Sequence, residues 1–121
     1  ALSSEVITVN GDGTPLRTYL DQRDLARWLW TLLLEGKAGE TYNVGSDQAI
    51  SIADLAQLVR DSISPLKPIH IRGAHQSKSI RNKYIPNIEK AKALHALDIT
   101  VQLPESIVDT AIFHSRSISN R

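Results

Sequence analysis

The 121-residue sequence contains neither cysteine nor methionine. Without thiols it can form no disulfide, no zinc–thiolate site and no cysteine nucleophile. That fits the cytoplasm, the compartment we expect. The missing methionine points to a chain cut from a longer product. Aromatic residues make up only 5% of the chain, so any core must be mainly aliphatic. Lys and Arg (14) nearly balance Asp and Glu (13), leaving a net charge of +1. No global field then favours nucleic acid or an anionic membrane, and an anion site must be built locally. No segment is long enough to span a bilayer, and no signal-peptide pattern is present. What remains is 41% apolar and 22% charged, the mix of an ordinary globular domain. The length fits one such domain.

Val6-Ile7-Thr8-Val9 is a β-branched run closed by the turn signal Asn10-Gly11-Asp12-Gly13. Residues 16–20 form a second extended segment. Asp21 and Asp24 have capping-box spacing and open a helix through about Glu35, stopped by Gly36 and Gly39. Residues 41–44 (Thr-Tyr-Asn-Val) suggest a short strand. Ser51 and Asp54 cap a helix carrying Leu55, Leu58, Val59 and Ile63, which Pro65 and Pro68 end. Ile69 and Ile71 alternate with His70 and Arg72 as a strand. Residues 73–82 are polar and loop-like. Asn87 can cap a helix through about Leu97, and Pro104 suits the first turn of a last helix. The expected class is therefore α+β, with about four helices and several short strands.

The first helix is out of balance. Leu25, Ala26, Trp28, Leu29, Trp30, Leu32, Leu33 and Leu34 wrap most of its circumference, leaving a polar stripe at Arg23, Arg27, Thr31 and Glu35. A helix this apolar needs cover on nearly all sides. Either it is the centre of a small α+β domain, or part of its cover is missing.

Few groups suggest chemistry. Gly11-Asp12-Gly13 lacks the third glycine of a dinucleotide loop, since Leu16 stands there, and no helix follows directly. It reads as a tight turn. Arg17 follows that turn with no adjacent carboxylate; a planar guanidinium there suits bidentate phosphate binding, although an ion-paired or solvated arginine fits as well. Lys78, Arg81, Lys83 and Tyr84 precede Ile85-Pro86-Asn87 and could complete an anion site at the helix that follows, or form a solvated loop. His70, His75, His95 and His114 do not have metal-ligand spacing. No Gly-x-Ser-x-Gly occurs, and no tyrosine has a lysine four residues later. No catalytic residue is expected in this chain.

In order along nearly the whole chain, several segments resemble the C-terminal third of the NAD-dependent epimerase/dehydratase family, the extended short-chain dehydrogenases/reductases. They are Gly11-Asp12-Gly13-Thr14-Pro15-Leu16-Arg17-Thr18-Tyr19-Leu20, Asp24-Leu25-Ala26, Gly39-Glu40-Thr41-Tyr42-Asn43-Val44-Gly45-Ser46 and Ser51-Ile52-Ala53-Asp54-Leu55-Ala56. Tyr84-Ile85-Pro86-Asn87 with Lys90-Ala91, and Leu103-Pro104-Glu105-Ser106-Ile107, continue the likeness. The stretch around Trp28 and Trp30 is most similar to dTDP-glucose 4,6-dehydratase-like members. Some positions depart from the pattern: Asp21-Gln22-Arg23 replaces a Tyr-Val-Asp-like stretch, Arg81 lies closer to Tyr84 than the family's second arginine, Asn87 replaces aspartate, and Ala96-Leu97 replaces a glycine.

The resemblance implies a parent with a Rossmann-type α/β fold in two domains, of which residues 1–121 are the C-terminal sugar-nucleotide-binding region. It implies that residues 1–45 pack on the Rossmann part, and that the cofactor loop and the Tyr-x-x-x-Lys pair lie upstream. Arg17 is implied to contact the substrate's diphosphate, with Tyr84 and Arg81 helping. The parent would use NAD or NADP and act on a nucleotide sugar as an epimerase (isomerase) or dehydratase (lyase). The chain alone would hold no cofactor, have no turnover, bind neither nucleic acid nor membrane, and self-associate through its exposed apolar surface. The alternative is a complete, non-enzymatic binding module that uses the Trp-containing helix as its partner surface. The upstream coding sequence separates the two.

Overall fold

Asp21 begins the organising element of the fold. Its carboxylate accepts from the Arg23 amide at 2.8 Å and so caps helix α1 (Gln22–Glu35). At the other end Gly36 N donates to Leu32 O, and a Cβ at Gly36 would lie 2.3 Å from that same oxygen. Glycine is therefore required there. The computed structural model of the chain describes residues 2–74 and 82–119.

The elements follow in the order β1 (Ile7–Val9), β2 (Leu16–Arg17), α1, β3 (Ile50–Ser51), α2 (Ile52–Ile63), β4 (Ile69–Ile71), α3 (Glu89–His95) and α4 (Leu103–Ser119). This is the expected α+β class, with four helices and short strands among the described residues. β1 pairs parallel with β4, placing Thr8 opposite His70, and β2 pairs antiparallel with β3. Helix α2 joins the two small sheets and packs on β1, β4 and α4. Its cap is reciprocal: Asp54 N donates to Ser51 Oγ at 3.0 Å while Ser51 Oγ donates to Asp54 Oδ2 at 2.6 Å.

The core lies between α1 and α3. Trp28, Ile88, Ala91 and Leu97 are buried together, with Leu32, Tyr42 and Val44 packed against them. Trp28 is fully enclosed, and its indole N–H donates to the Asp98 carbonyl at 3.1 Å. Asn87 does not take the cap position its sequence suggests: the N-cap residue of α3 is Ile88, which makes no side-chain cap bond, and Asn87 Oδ1 instead accepts from Glu89 N at 3.0 Å in a turn just ahead of the helix. That helix ends at His95, two residues short of expectation. Ala96 adopts a left-handed φ of 47°, which turns the chain so that Leu97 enters the core. The family's glycine at this bend would be free of the strain that Ala96 carries.

Two expected strands differ. Only residues 16–17 of the extended segment 16–20 join a ladder, because the chain then leaves β3 to reach the cap at Asp21. Residues 41–44 are not a strand: among the described residues no neighbouring strand pairs with them. Side chains hold them instead: Lys90 Nζ donates to Thr41 O and Asn43 Nδ2 to Asn87 O.

The imbalance of α1 is visible in its exposure. Asp24 and Trp28 are its buried residues, while Trp30, Leu33 and Leu34 are 63%, 73% and 76% exposed. A shallow apolar hollow between Ala26, Leu29, Trp30 and Leu33 runs along this face. The described chain does not wrap the helix on all sides.

Candidate functional site

Strand β2 is two residues long but sits at a junction. One edge pairs with β3, Arg17 opposite Ile50. The other edge meets residues 82–84: Leu16 N donates to Asn82 O at 2.8 Å, and Tyr84 N donates to Leu16 O at 3.2 Å. The Leu16 carbonyl also accepts from Arg17 Nη1 at 2.7 Å, and the same nitrogen lies 3.4 Å from Asn82 O. Arg17 and the Tyr84 backbone therefore share one acceptor. The guanidinium is docked on main-chain carbonyls through a single nitrogen. Among the described residues it has no carboxylate partner, and its remaining N–H groups stay available to an anion.

The Tyr84 side chain is 73% exposed and lines a cavity of about 360 Å³. Thr18, Leu20, Pro86 and the segment from Tyr42 to Ser46 complete the wall; Arg17 is not part of it. Thr18 follows Arg17 on an extended chain, where successive side chains face opposite ways. The structure thus brings Arg17 and Tyr84 together at the backbone but sends Tyr84 to a neighbouring compartment. Arg81, with Lys78 and His75, lies outside the described residues.

The cavity wall is fixed by side chains in place of strand pairing. Lys90 Nζ donates to Glu40 Oε2 at 2.6 Å and to Thr41 O at 2.8 Å, and lies 4.8 Å from the centre of the Tyr42 ring. The hydrogen bond from Lys90 holds the Glu40 carboxyl below the usual carboxylate range. His95 meets the Tyr42 ring edge-on at 5.3 Å, and Asn43 Nδ2 donates to Asn87 O at 2.9 Å. Gly45 lets the two walls close: a Cβ there would stand 2.9 Å from Pro86 Cγ.

The glycine turn proves structural. Gly13 has a φ of 78°, and a Cβ on it would lie 2.8 Å from that of Ala53. Gly73 approaches the same turn so closely that its Cβ would lie 2.5 Å from the Gly11 carbonyl carbon. The turn leads into β2, not into a helix N-terminus, so it offers no phosphate cradle of the dinucleotide kind. Among the described residues, no three His, Cys, Asp or Glu side chains gather as a metal site.

Sequence reasoning missed the role of Asp24. It does not reach back to cap α1. Its fully buried carboxylate accepts from Thr100 N (2.8 Å), Thr100 Oγ1 (2.6 Å), Val101 N (2.9 Å) and Arg27 Nη2 (3.0 Å). Burial pushes this carboxyl up, but the bonds from Thr100, Val101 and Arg27 outweigh it and bring it to about 2. Asp24 thus pins the segment before α4 to the first turn of α1. Only the positions of Thr100 and Val101, more than seventy residues away, reveal this role.

Residues 1–45 match the family model described as NAD dependent epimerase/dehydratase family. The chain is 35% identical over 68 residues to dTDP-glucose 4,6-dehydratase 1 of Escherichia coli (strain K12), which covers 56% of this chain and 19% of that protein. It is 31% identical over 107 residues to UDP-glucuronic acid decarboxylase 4 of Arabidopsis thaliana, covering 88% of this chain and 24% of that protein. Its fold is shared with the structure of RMD from Pseudomonas aeruginosa complexed with NADPH: TM-score 0.78 at 22% identity, over 95% of this chain and 38% of that one. The chain spans about a fifth to a quarter of the length of these curated relatives.

Proposed function

This chain belongs to the NAD dependent epimerase/dehydratase family, and from that premise we propose that it is the substrate-binding part of an enzyme that acts on a nucleotide sugar. The observation that carries the proposal is Arg17, docked on the Leu16 and Asn82 carbonyls with no carboxylate partner among the described residues. It would grip the diphosphate, with Tyr84 close by and Arg81 as a further helper. The reaction would begin with hydride transfer between a sugar carbon and NAD(P), leading to epimerisation, dehydration or reduction. This chain's share is positioning: holding the diphosphate places the sugar relative to the reacting groups. The glycine turn leads into β2 and not into a helix N-terminus, so it does not fit the cofactor's phosphates.

Calorimetry on the full-length protein with several sugar nucleotides tests this. Arg17→Ala is expected to weaken binding about 10- to 100-fold, the effect of losing charge-assisted hydrogen bonds. Arg17→Lys should recover only part, because an ammonium lacks the fork geometry. Unchanged affinity in Arg17→Ala would reject the role given to Arg17.

The exposed face of α1 supports a second part of the proposal: residues 1–45 pack on the Rossmann-type portion in the whole enzyme. The exposed leucines and Trp30 equally suit an independent interaction module, and upstream sequence lacking a Tyr-x-x-x-Lys pair would favour that alternative. In isolation the chain should self-associate through this face. Light scattering is expected to give at least the mass of two chains, and Trp30→Lys with Leu33→Lys to restore one. A wild-type chain that stays at the mass of one at high concentration counts against it.

A further inference from the structure

Helices α2 and α4 face each other without a finished core. Leu20, Leu55, Val59, Ile63, Leu103 and Ile107 converge there, yet each is only half-buried. The buried cluster of the molecule lies elsewhere, between α1 and α3. What these aliphatic side chains enclose is an open cavity of about 330 Å³. A water molecule takes up about 30 Å³, and close-packed interiors leave few voids larger than that. An apolar void of this size forfeits dispersion contacts on every wall. The cavity is thus a core that lacks its centre.

Its wall argues against a small polar ligand. Asp21 is the one charged residue in it among those described, and that carboxylate is taken. Arg23 donates to it from Nε at 2.9 Å and from Nη2 at 3.1 Å, and the Ser106 hydroxyl donates to it as well. No free charge remains to orient such a ligand. The cavity shares no residue with the apolar hollow on α1, so it is a second, separate uncovered surface. Leu2, 42% exposed, belongs to its wall. From Leu2 the chain runs through residues 3–6 into β1, on which α2 packs. Sequence preceding Ala1 is therefore tethered within two residues of this wall. The curated relatives extend well beyond this chain, which spans 19% of one and 24% of another.

We infer that this cavity is the seat of the stretch directly preceding Ala1 in the full-length protein, which fills it with apolar side chains and completes a second core between α2 and α4. The inference rests on the reading of the chain as part of a larger enzyme. Tyr19 and Leu20 lie in the same wall and lead from Arg17 to α1. The seated stretch thus braces the segment that follows Arg17.

Two measurements on the full-length protein test this. In the first, Ile107→p-benzoylphenylalanine carries a photoreactive ketone into the cavity, and mass spectrometry identifies the cross-linked peptide. The expected link falls within the roughly 30 residues that precede Ala1, the span of one or two elements and their connections. A link elsewhere in the chain, a band at twice the mass, or no link to protein overturns the inference. In the second, Ala111→Leu adds volume to the wall at little cost in helix propensity. It overpacks an occupied cavity, so the thermal midpoint should fall by a few degrees. An empty cavity would gain buried surface, and an unchanged or raised midpoint therefore also overturns the inference. The reading as an enzyme fails on a different result, upstream sequence without a Tyr-x-x-x-Lys pair, which alters neither readout at the cavity.

Discussion

Asp24→Asn is expected to destabilise the fold by about 3–5 kcal/mol at neutral pH, the effect of breaking a buried ionic cluster by removing its charge. Asparagine is the nearest isostere, but the four donors around Asp24 converge on two acceptor oxygens. An amide places an NH₂ against either the pair Thr100 N and Val101 N or the pair Thr100 Oγ1 and Arg27 Nη2, leaving donors facing donors. The proton linkage gives a second signature. The folded carboxyl titrates at about 2 and an unfolded one near 3.9. The stabilisation is therefore complete above pH 4 and is lost as pH falls through 2; it amounts to roughly 2 kcal/mol of the total. Urea unfolding of wild type and Asp24→Asn should differ most at pH 7, with the gap narrowing between pH 4 and 2. A gap under 1 kcal/mol at pH 7, or one that ignores pH, contradicts this account.

Asp24 also marks the limit of what the sequence makes legible. Asp21 and Ser51 cap the helices that their spacing announces, and Gly36, Pro65 and Pro104 bound them as expected. Those are local interactions, complete within four residues. Asp24 stands where a capping box puts its reach-back partner, yet three of its four donors come from residues 100–101. No local pattern encodes that distance. Residues 41–44 fail for the same reason: their composition favours an extended chain, but a strand also needs a neighbour, and here Lys90 and Asn87 supply side-chain or single-carbonyl anchors.

The candidate site divides along the same line. For Arg17 the turn and the lack of an adjacent carboxylate suit a solvated or ion-paired arginine as well as a phosphate ligand, and it is the resemblance that points to the diphosphate; among the described residues the guanidinium has no carboxylate partner. Its sharing of the Leu16 carbonyl with Tyr84 depends on a parallel bridge between Leu16 and Lys83, 67 positions on in the chain. Thr18 joins the cavity wall only because residues 42–46 and Pro86 fold opposite it, and because Gly45 lets them approach.

Trp28 connects that cavity to the stability of the whole. Trp28→Ala is expected to cost about 3–5 kcal/mol, a large share of the stability of a domain this size. Its ring fills the space between α1 and α3, touching the cluster of Ile88, Ala91 and Leu97 on which Tyr42 and Val44 rest. Two of those neighbours, Tyr42 and Val44, are also cavity wall. Trp28→Phe separates packing from hydrogen bonding. It keeps most of the apolar volume but leaves the Asp98 carbonyl without the indole N–H, so it should cost only about 1–3 kcal/mol. Urea denaturation ranks the two. In the full-length enzyme, pyrophosphate affinity at Arg17 should survive Trp28→Phe, because β2 is tied to β3 and to residues 82–84 by its own backbone bonds. A loss of pyrophosphate affinity in Trp28→Phe would mean that the Arg17 junction leans on the tryptophan as Tyr42 and Val44 do.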